Sequence, residues 1–228
     1  MTLNLPAVLA IAALALPLYA GAGGTVTSAD GKASVERAGN KVAVAPALPI
    51  EAGDTLSVTA QSKVEVQFDD DSLFAIPGPA VLRVDEFNLP KSGPGRAVYT
   101  LVDGGVRTVT GRISKNPGDV YELHTDLAIV TVKGSAYTAL RCRGKCAGMK
   151  PGLYVRAERG QITVANGRGK LILLPGQTAF VEAPGAAPAP AKESPFADPV
   201  FASGFAFSET LEDGREPPRI EKEPPVSP

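Results

Sequence analysis

The sequence predicts an all-β protein in which many short, hairpin-linked strands form a two-sheet sandwich or a short twisted β-solenoid. The chain of 228 residues contains 24 Gly and 21 Pro, a frequency that indicates many turns. Valine and threonine, which are β-branched and favour strands, recur along its length. After the N-terminal segment, no stretch shows the periodicity of an amphipathic helix, so strands are the expected element.

The richest strand pattern spans residues 99–137. Within it, Asp103-Gly104-Gly105 separates two β-rich runs, and Asp-Gly in that setting predicts a hairpin turn because both residues tolerate positive φ. Residues 127–132 form a nearly continuous apolar run, which predicts a strand that is buried on both faces. We expect the flanking strands to pack around that run.

Two further hairpins are expected before this stretch. Asp30-Gly31 predicts the turn of the first, between residues 25–27 and 33–36. The second spans residues 63–76, where apolar and polar residues alternate on the way to an acidic turn. Both patterns support the all-β prediction.

The N-terminal segment reads as a secretory signal peptide over residues 1–22. Its apolar run is followed by Ala20-Gly21-Ala22, so cleavage is expected after Ala20 or Ala22. The alternative is a retained anchor, but Pro17 interrupts the run, which falls short of the roughly 20 apolar residues that a membrane span needs. We therefore expect export, with no membrane span after cleavage.

The composition changes at Ala183, where Ala-Pro repeats begin. Such repeats favour extended linkers, so residues 183–228 are predicted to form a Pro/Ala-rich disordered tail. Residues 196–207 contain four Phe with small residues between them, and the alternative is that they form a short partner-binding peptide.

Two cysteines lie close together in a basic loop. In an exported chain Cys142 and Cys146 are expected to oxidise to a disulfide. A redox-active pair is the alternative, since Arg141, Arg143 and Lys145 would lower the pKa of the thiols. The spacing is not C-x-x-C, so we favour a structural disulfide. Arg143 and Lys145 would also make the loop a positive knob, a candidate contact for an anion or a partner.

No catalytic or metal-binding pattern is evident, so we expect a non-enzymatic protein without cofactor or metal. One His and two Cys exclude most His- or Cys-rich metal sites. Glu122 and His124 share a strand face and could act in acid-base chemistry, but no nucleophile lies in a recognisable setting. Asp69, Asp70 and Asp71 could offer oxygens to Ca²⁺, but adjacent acids in a strand point in different directions, so a solvated turn is favoured. A net charge of −1 without a basic block does not suggest nucleic acid as a partner.

Several motifs follow one another along residues 24–182. The longest reads L-x-x-G-x-x-R-x-V-T-G and continues as T-D-x-A-x-V-x-V-K-G-S. It comprises Leu101, Gly104, Arg107, Val109, Gly111, Thr125, Ala128, Val130, Val132, Lys133, Gly134 and Ser135. Shorter motifs are G-D-x-L at residues 53–56, F-x-D-x-S at residues 68–72 and L-x-x-G-Q-T-A-x-V at residues 173–181. In this order the motifs resemble those of the FecR domain, a family of bacterial periplasmic β-rich domains, and the resemblance covers about residues 24–182.

The chain departs from the family pattern at two positions. Asp71 stands where the family usually has Gly, and Asp tolerates left-handed φ better than most residues. Lys133 stands where the family usually has Arg, and lysine lacks the bidentate fork of a guanidinium. Arg107 and Lys133 are expected either to pair with acidic side chains, which we favour, or to contact a partner. Gly134 is expected to serve a turn or bulge.

The resemblance implies the β-solenoid form and a role in protein interaction or signal sensing in the bacterial envelope. Some family members relay signals from outer-membrane transporters to sigma regulators, so a transporter or a membrane regulator is the expected partner. Without a cytoplasmic anti-sigma segment, this chain would be a stand-alone sensor or adaptor in the periplasm, or a secreted one. The alternative is a module that binds cell-wall glycan or another envelope polymer. Its aromatic platforms would have to come from Tyr99, Tyr121, Tyr137 and Tyr154.

Overall fold

A computed structural model describes residues 23–144, 146 and 148–208, and it confirms the all-β prediction. The predicted signal peptide therefore lies outside the described residues. A 3-10 turn, Pro195–Ala197, and one short helix, α1 at Pro199–Ser203, follow the strands. Neither element could span a membrane.

The strands are β1 Gly24–Asp30, β2 Ala33–Arg37, β3 Asn40–Ala43, β4 Pro49–Ile50, β5 Thr55–Val58, β6 Lys63–Phe68, β7 Leu73–Pro77, β8 Ala80–Asn88, β9 Arg96–Val109, β10 Val120–His124, β11 Ile129–Cys142, β12 Gly152–Asn166, β13 Gly169–Leu173, β14 Thr178–Val181 and β15 Ala189–Pro190.

The strand pairings divide the fold into two layers that share three long strands, β9, β11 and β12. The front layer contains β2, β3, β5, β8, β10 and β13, with the first halves of β9 and β11 and the second half of β12. The back layer contains β1, β4, β6, β7, β14 and β15, with the other halves of the long strands. Each long strand therefore passes from one layer to the other.

One hydrophobic core lies between the two layers. Tyr99 on the front part of β9 contacts two rings of the back layer, with centroid distances of 5.1 Å to Phe68 and 4.7 Å to Phe74. Phe87 on β8 stacks on Phe68 at 5.3 Å. Burial of these rings stabilises the domain, because aromatic side chains remove the largest apolar areas from water.

The hairpin predicted at Asp103-Gly104-Gly105 is wrong, because β9 runs straight through these residues. Gly104 does adopt positive φ (+75°), but it marks the point where the pairing of β9 with β8 ends and its pairing with β11 begins. A side chain there would meet the carbonyl oxygen of Pro79, since an added Cβ would lie 2.1 Å from it. Asp-Gly therefore marks an irregularity within a strand, which needs the same backbone freedom as a turn.

Of the two hairpins expected earlier in the chain, only the second is present. Asp30-Gly31 does not join two paired strands: β1 pairs with β4 and β6, whereas β2 pairs with β3 and β5. This turn instead takes the chain from the back layer to the front layer. The second hairpin is formed by β6 and β7 in continuous register, and Asp71 in its turn adopts a φ of +69°.

The strand predicted to be buried on both faces has one face in solvent. Val130 and Val132 are buried, but Ile129, the first residue of β11, is 39% exposed. The outer face of the front layer carries no further layer among the described residues, so alternate side chains face outward.

Residues 189–208 pack against the back layer, so the predicted disordered tail is wrong for that segment. β15 pairs with β14, and Phe196, Phe205 and Phe207 are buried. Burial of those three rings stabilises the ordered segment. The composition of the segment could not show which surface the rings would pack on. Residues 209–228 lie outside the described part of the chain.

Candidate functional site

The candidate site lies on the outer face of the back layer, where a single row of side chains crosses six strands. Cross-strand register places these residues side by side on β6, β7, β9, β11, β12 and β14: Glu65, Ala75, Arg107, Thr138, Arg156 and Thr178. Directly opposed residues in a sheet have neighbouring side chains, so this row forms a strip that is polar at every position except Ala75.

A terminal segment, residues 189–208, crosses this strip and is called the strap below. Its first end pairs as β15 with the edge strand β14. At its far end, Ser208 donates from its backbone N to Glu65 Oε1 at 2.8 Å and from its Oγ to Glu65 Oε2 at 2.6 Å. The strap therefore spans the back layer from β14 to β6.

The middle of the strap is held by aromatic packing. Phe196, Phe201 and Phe205 form a ring cluster with centroid distances of 5.5 to 6.3 Å. This cluster rests on Leu140 and Tyr154 of the back layer. Phe205 lies over Gly105, where an added Cβ would be 2.5 Å from the ring. A side chain at Gly105 would therefore push the strap away.

The sequence around α1 explains why a helix interrupts the strap. Asp198 precedes Pro199, and its Oδ1 accepts hydrogen bonds from the backbone N of Val200 at 2.9 Å and of Phe201 at 3.4 Å. Asp before Pro is a favoured helix start, since the side chain satisfies backbone donors and proline needs none. The short helix turns Phe201 toward the sheet and leaves Val200 82% exposed.

Beneath the strap lies a cleft of 350 Å³, called the arginine cleft. Its basic and acidic groups are on the sheet, and its apolar groups are mostly on the strap. Arg107 Nε contacts Glu158 Oε1 at 3.2 Å and Oε2 at 3.0 Å, and Thr138 Oγ1 donates to Glu158 Oε1 at 2.6 Å. The cleft is lined by Arg107, Thr138, Arg156, Glu158, Phe196, Ala202, Phe205 and Ala206.

A second, larger cleft of 570 Å³, called the loop cleft, lies between α1 and the cysteine loop. Phe201 and Phe205 of the strap form one wall, and Arg143 and Cys146 lie on the opposite wall. Arg143 Nε donates to the Val102 carbonyl oxygen at 3.0 Å. The exposed Val200 stands at the edge of this cleft.

Asp126 fixes the base of the cysteine loop. Arg141, which is buried, donates to Asp126 from Nε at 2.6 Å and from Nη2 at 3.0 Å, and Arg143 lies 3.1 Å away. The hydrogen bonds from Arg141 hold the pKa of Asp126 below its usual value. Arg141 therefore supports the loop, whereas half of the Arg143 side chain remains exposed.

The predicted disulfide joins Cys142 and Cys146, with an S–S distance of 2.05 Å. Because the closed loop is short, we expect its loss in a double Cys→Ser variant to cost about 2 kcal/mol or less in the free energy of unfolding. Thiol labelling of the unreduced, exported protein tests the bond: two labelled cysteines would contradict it. Lys145, the other predicted basic contact of this loop, lies outside the described residues.

The other motif residues predicted as contacts, Arg107, Lys133 and Gly134, do not lie together in one site. Arg107 is paired with Glu158, as expected from its motif position. Lys133 is exposed, and its side chain has no hydrogen bond or ion pair to any residue that the structure describes, so the pairing we favoured for it is wrong. Gly134 has a φ of +56° beside the β11 bulge. Lys133 and Gly134 line neither cleft.

The structure gives the positions of the residues considered for catalysis or metal binding. His124 Nε2 lies 2.7 Å from Glu122 Oε2 on the outer face of the front layer. Asp70 is fully buried, so the solvated turn expected for the three acids is wrong at that position. No group of three or more His, Cys, Asp or Glu residues in the described ranges could hold a metal ion.

Sequence reasoning missed most of the site, including Glu65, Arg156, Glu158 and Phe205 as a group. Two signals pointed toward it: Arg107 in the central motif, and the four Phe of the terminal segment, which were considered as a partner-binding peptide. Their target proved to be this chain's own sheet.

Comparison with known proteins gives few matches. No family model matches the chain, and no curated protein does. Two crystal structures of a candidate anti-sigma factor from Parabacteroides distasonis, at 2.50 and 1.65 Å resolution, have TM-scores of 0.49 and 0.48 to this chain at 17% identity. Each alignment covers 62% of this chain and 61% of that one, so the chain matches less than two thirds of their length.

Proposed function

We propose that this chain is an exported, non-enzymatic, FecR-like domain that acts in protein interaction or signal sensing in the bacterial envelope. Its partner would be a transporter or a membrane regulator. The motifs that resemble the FecR domain support this proposal, as does the all-β fold in which they lie. The observation that carries it is the loop cleft, which places apolar and basic groups together at the surface.

The loop cleft has the composition of a peptide-binding surface. Protein interfaces combine an apolar centre with aromatic residues and arginine. Here Phe201 and Phe205 supply the aromatic wall, Arg143 supplies a half-exposed guanidinium, and Val200 offers an exposed apolar contact beside them. Val200 therefore extends the apolar area of the cleft into solvent.

Binding of an envelope polymer is the weaker alternative. A glycan-binding face needs exposed aromatic platforms, and the four tyrosines that could have supplied them are all buried: Tyr99, Tyr121, Tyr137 and Tyr154. Three of them lie in the core between the layers, and Tyr154 lies under the strap.

Site-specific crosslinking in living cells tests the proposal. A photoreactive amino acid at Val200, in the chain expressed from its own promoter, is expected to capture a TonB-linked receptor or an inner-membrane regulator. The matched control is the same amino acid at Val42, which is 46% exposed on β3 of the front layer. We expect no such product from that position.

Two outcomes would overturn this assignment. Identical products from both positions would show that the loop cleft has no special role. Absence of any protein product, together with sedimentation of the chain with purified sacculi, would favour polymer binding instead.

A further inference from the structure

The arginine cleft contains one guanidinium whose charge is not matched within the described part of the molecule. Arg156 is partly buried on β12, yet none of the described residues forms a hydrogen bond or ion pair with its side chain. Glu158 lies two residues away on the same strand face, but its oxygens are already bonded to Arg107 and Thr138. A partly desolvated cation gains more from an anion than an exposed one does.

The groups on the other side of the cleft hold one another through several contacts. Arg107 is held between Glu158 and the ring of Phe207, whose centroid lies 4.9 Å from the guanidinium carbon. Thr138 fixes Glu158 in turn. A ligand that enters the cleft would therefore meet preorganised groups, which reduces the entropy lost on binding.

We propose that the arginine cleft binds the carboxylate of an aspartate or glutamate side chain of a partner protein, with Arg156 as its direct ligand. This inference rests on the proposed function as a protein-interaction domain and names the chemistry of a second contact. The planar fork of a guanidinium matches a carboxylate with two parallel hydrogen bonds. The residue next to the acid would lie against Phe196 and Phe205.

The dimensions and charge of the cleft favour a carboxylate over a phosphate group. A volume of 350 Å³ accommodates one or two side chains. The carboxylate of Glu158 lies in the same cleft, and it would repel a doubly charged phosphate more strongly than a singly charged carboxylate. The apolar strap wall likewise suits an amino-acid side chain better than a highly hydrated anion.

A pair of probe peptides tests the carboxylate requirement. NMR titration of the ¹⁵N-labelled chain with acetyl-Leu-Glu-amide is expected to shift the amide signals of Thr138, Ala202 and Ala206. Acetyl-Leu-Gln-amide has the same shape without the charge, and we expect it to bind roughly tenfold more weakly or worse. Equal affinity of the two peptides, or the absence of shifts at the cleft, would overturn the proposal.

Variants of Arg156 test whether this residue is the ligand. Arg156→Gln is expected to abolish the preference for the Glu peptide, and Arg156→Lys to restore part of it without the bidentate geometry. Arg159→Gln is the matched control, because Arg159 is exposed on the same strand and lines neither cleft. Unchanged signals of the strap in Arg156→Gln would show that the fold is retained. If that variant binds both peptides as the wild type does, the proposal fails.

The peptide titration and the crosslinking experiment can fail independently of each other. Crosslinking from Val200 that persists in Arg156→Gln, with no carboxylate preference in the titration, would refute the arginine cleft alone. A clear carboxylate preference without any envelope partner at Val200 would refute the proposed partner and leave the binding site.

Discussion

Replacement of Asp70 by alanine is expected to lower the free energy of unfolding by about 3–5 kcal/mol. Asp70 is fully buried, and its carboxylate accepts hydrogen bonds from the Ser72 backbone N at 3.0 Å, Ser72 Oγ at 2.8 Å and the Ile113 backbone N at 3.2 Å. Ser72 Oγ accepts in turn from the Gly111 backbone N at 2.8 Å. Alanine would leave these buried donors without an acceptor. Urea unfolding followed by circular dichroism measures the loss.

Two variants control for this result. Asp70→Asn keeps the shape and one acceptor, so it should cost less than Asp70→Ala. Asp71→Asn changes the neighbouring turn residue, whose side chain is 69% exposed and whose positive φ asparagine also tolerates. We expect it to change stability by about 0.5 kcal/mol or less. Similar losses in Asp70→Ala and Asp71→Asn would refute a special role for the buried carboxylate.

The same residue should make stability depend on pH in a defined direction. Burial raises the pKa of Asp70 above its ordinary value of 3.8, although the hydrogen bonds from Ser72 oppose this. The folded state therefore holds the proton more tightly than the unfolded state. Its contribution is fully present below pH 3.8 and is lost as the pH rises through the folded pKa. Wild type should thus lose stability relative to Asp70→Asn over that window; a constant difference would contradict the assignment.

Replacement of Phe205 by alanine is expected to release the strap while the sheet remains folded. Phe205 is only 4% exposed and packs on both Phe196 and Phe201, at 5.8 and 5.5 Å. Loss of a buried phenylalanine costs about 3–5 kcal/mol, which corresponds to a roughly 100-fold or greater increase in local opening. Hydrogen exchange measured by mass spectrometry should show faster exchange of the strap amides, with little change in β9 and β11.

Val200→Ala is the matched control for the strap. It removes an apolar side chain from the same segment, but one that is 82% exposed, so exchange should be unaffected. If Phe205→Ala accelerates exchange equally in the strap and in the long strands, the two form one cooperative unit, and the strap is an integral part of the sheet. Faster exchange in Val200→Ala would show that the helix, not the ring cluster, anchors the strap.

Local signals in the sequence predicted what depends on near neighbours. The all-β class followed from composition, and the β6–β7 hairpin followed from alternation on both sides of an acidic turn. Asp71 adopts the left-handed φ that its turn position requires. The Cys142–Cys146 disulfide joins residues only 4 positions apart. In each case the interacting residues are close in sequence, so a short stretch of sequence contains all the information needed to predict the contact.

Asp-Gly and apolar runs were ambiguous because they are compatible with more than one pairing. Asp103-Gly104 has the sequence of a hairpin turn, but it serves a change of partner within β9, since the strand that pairs there, β11, begins 25 residues later in the chain. Residues 127–132 looked buried on both faces, yet only one layer covers them. Neither outcome is encoded locally, because which faces are covered depends on the packing of distant strands.

The candidate site was decided by tertiary structure. Sequence analysis noted Arg107 and the four Phe of the terminal segment, but in separate arguments. Cross-strand register places Thr138 between Arg107 and Arg156, although long stretches of chain separate the three residues. The same register gives Phe205 a surface to pack on. Sequence by itself therefore determined the kind of strand this chain forms, whereas only the pairing of strands remote in sequence could bring the strap, the arginines and Glu158 together.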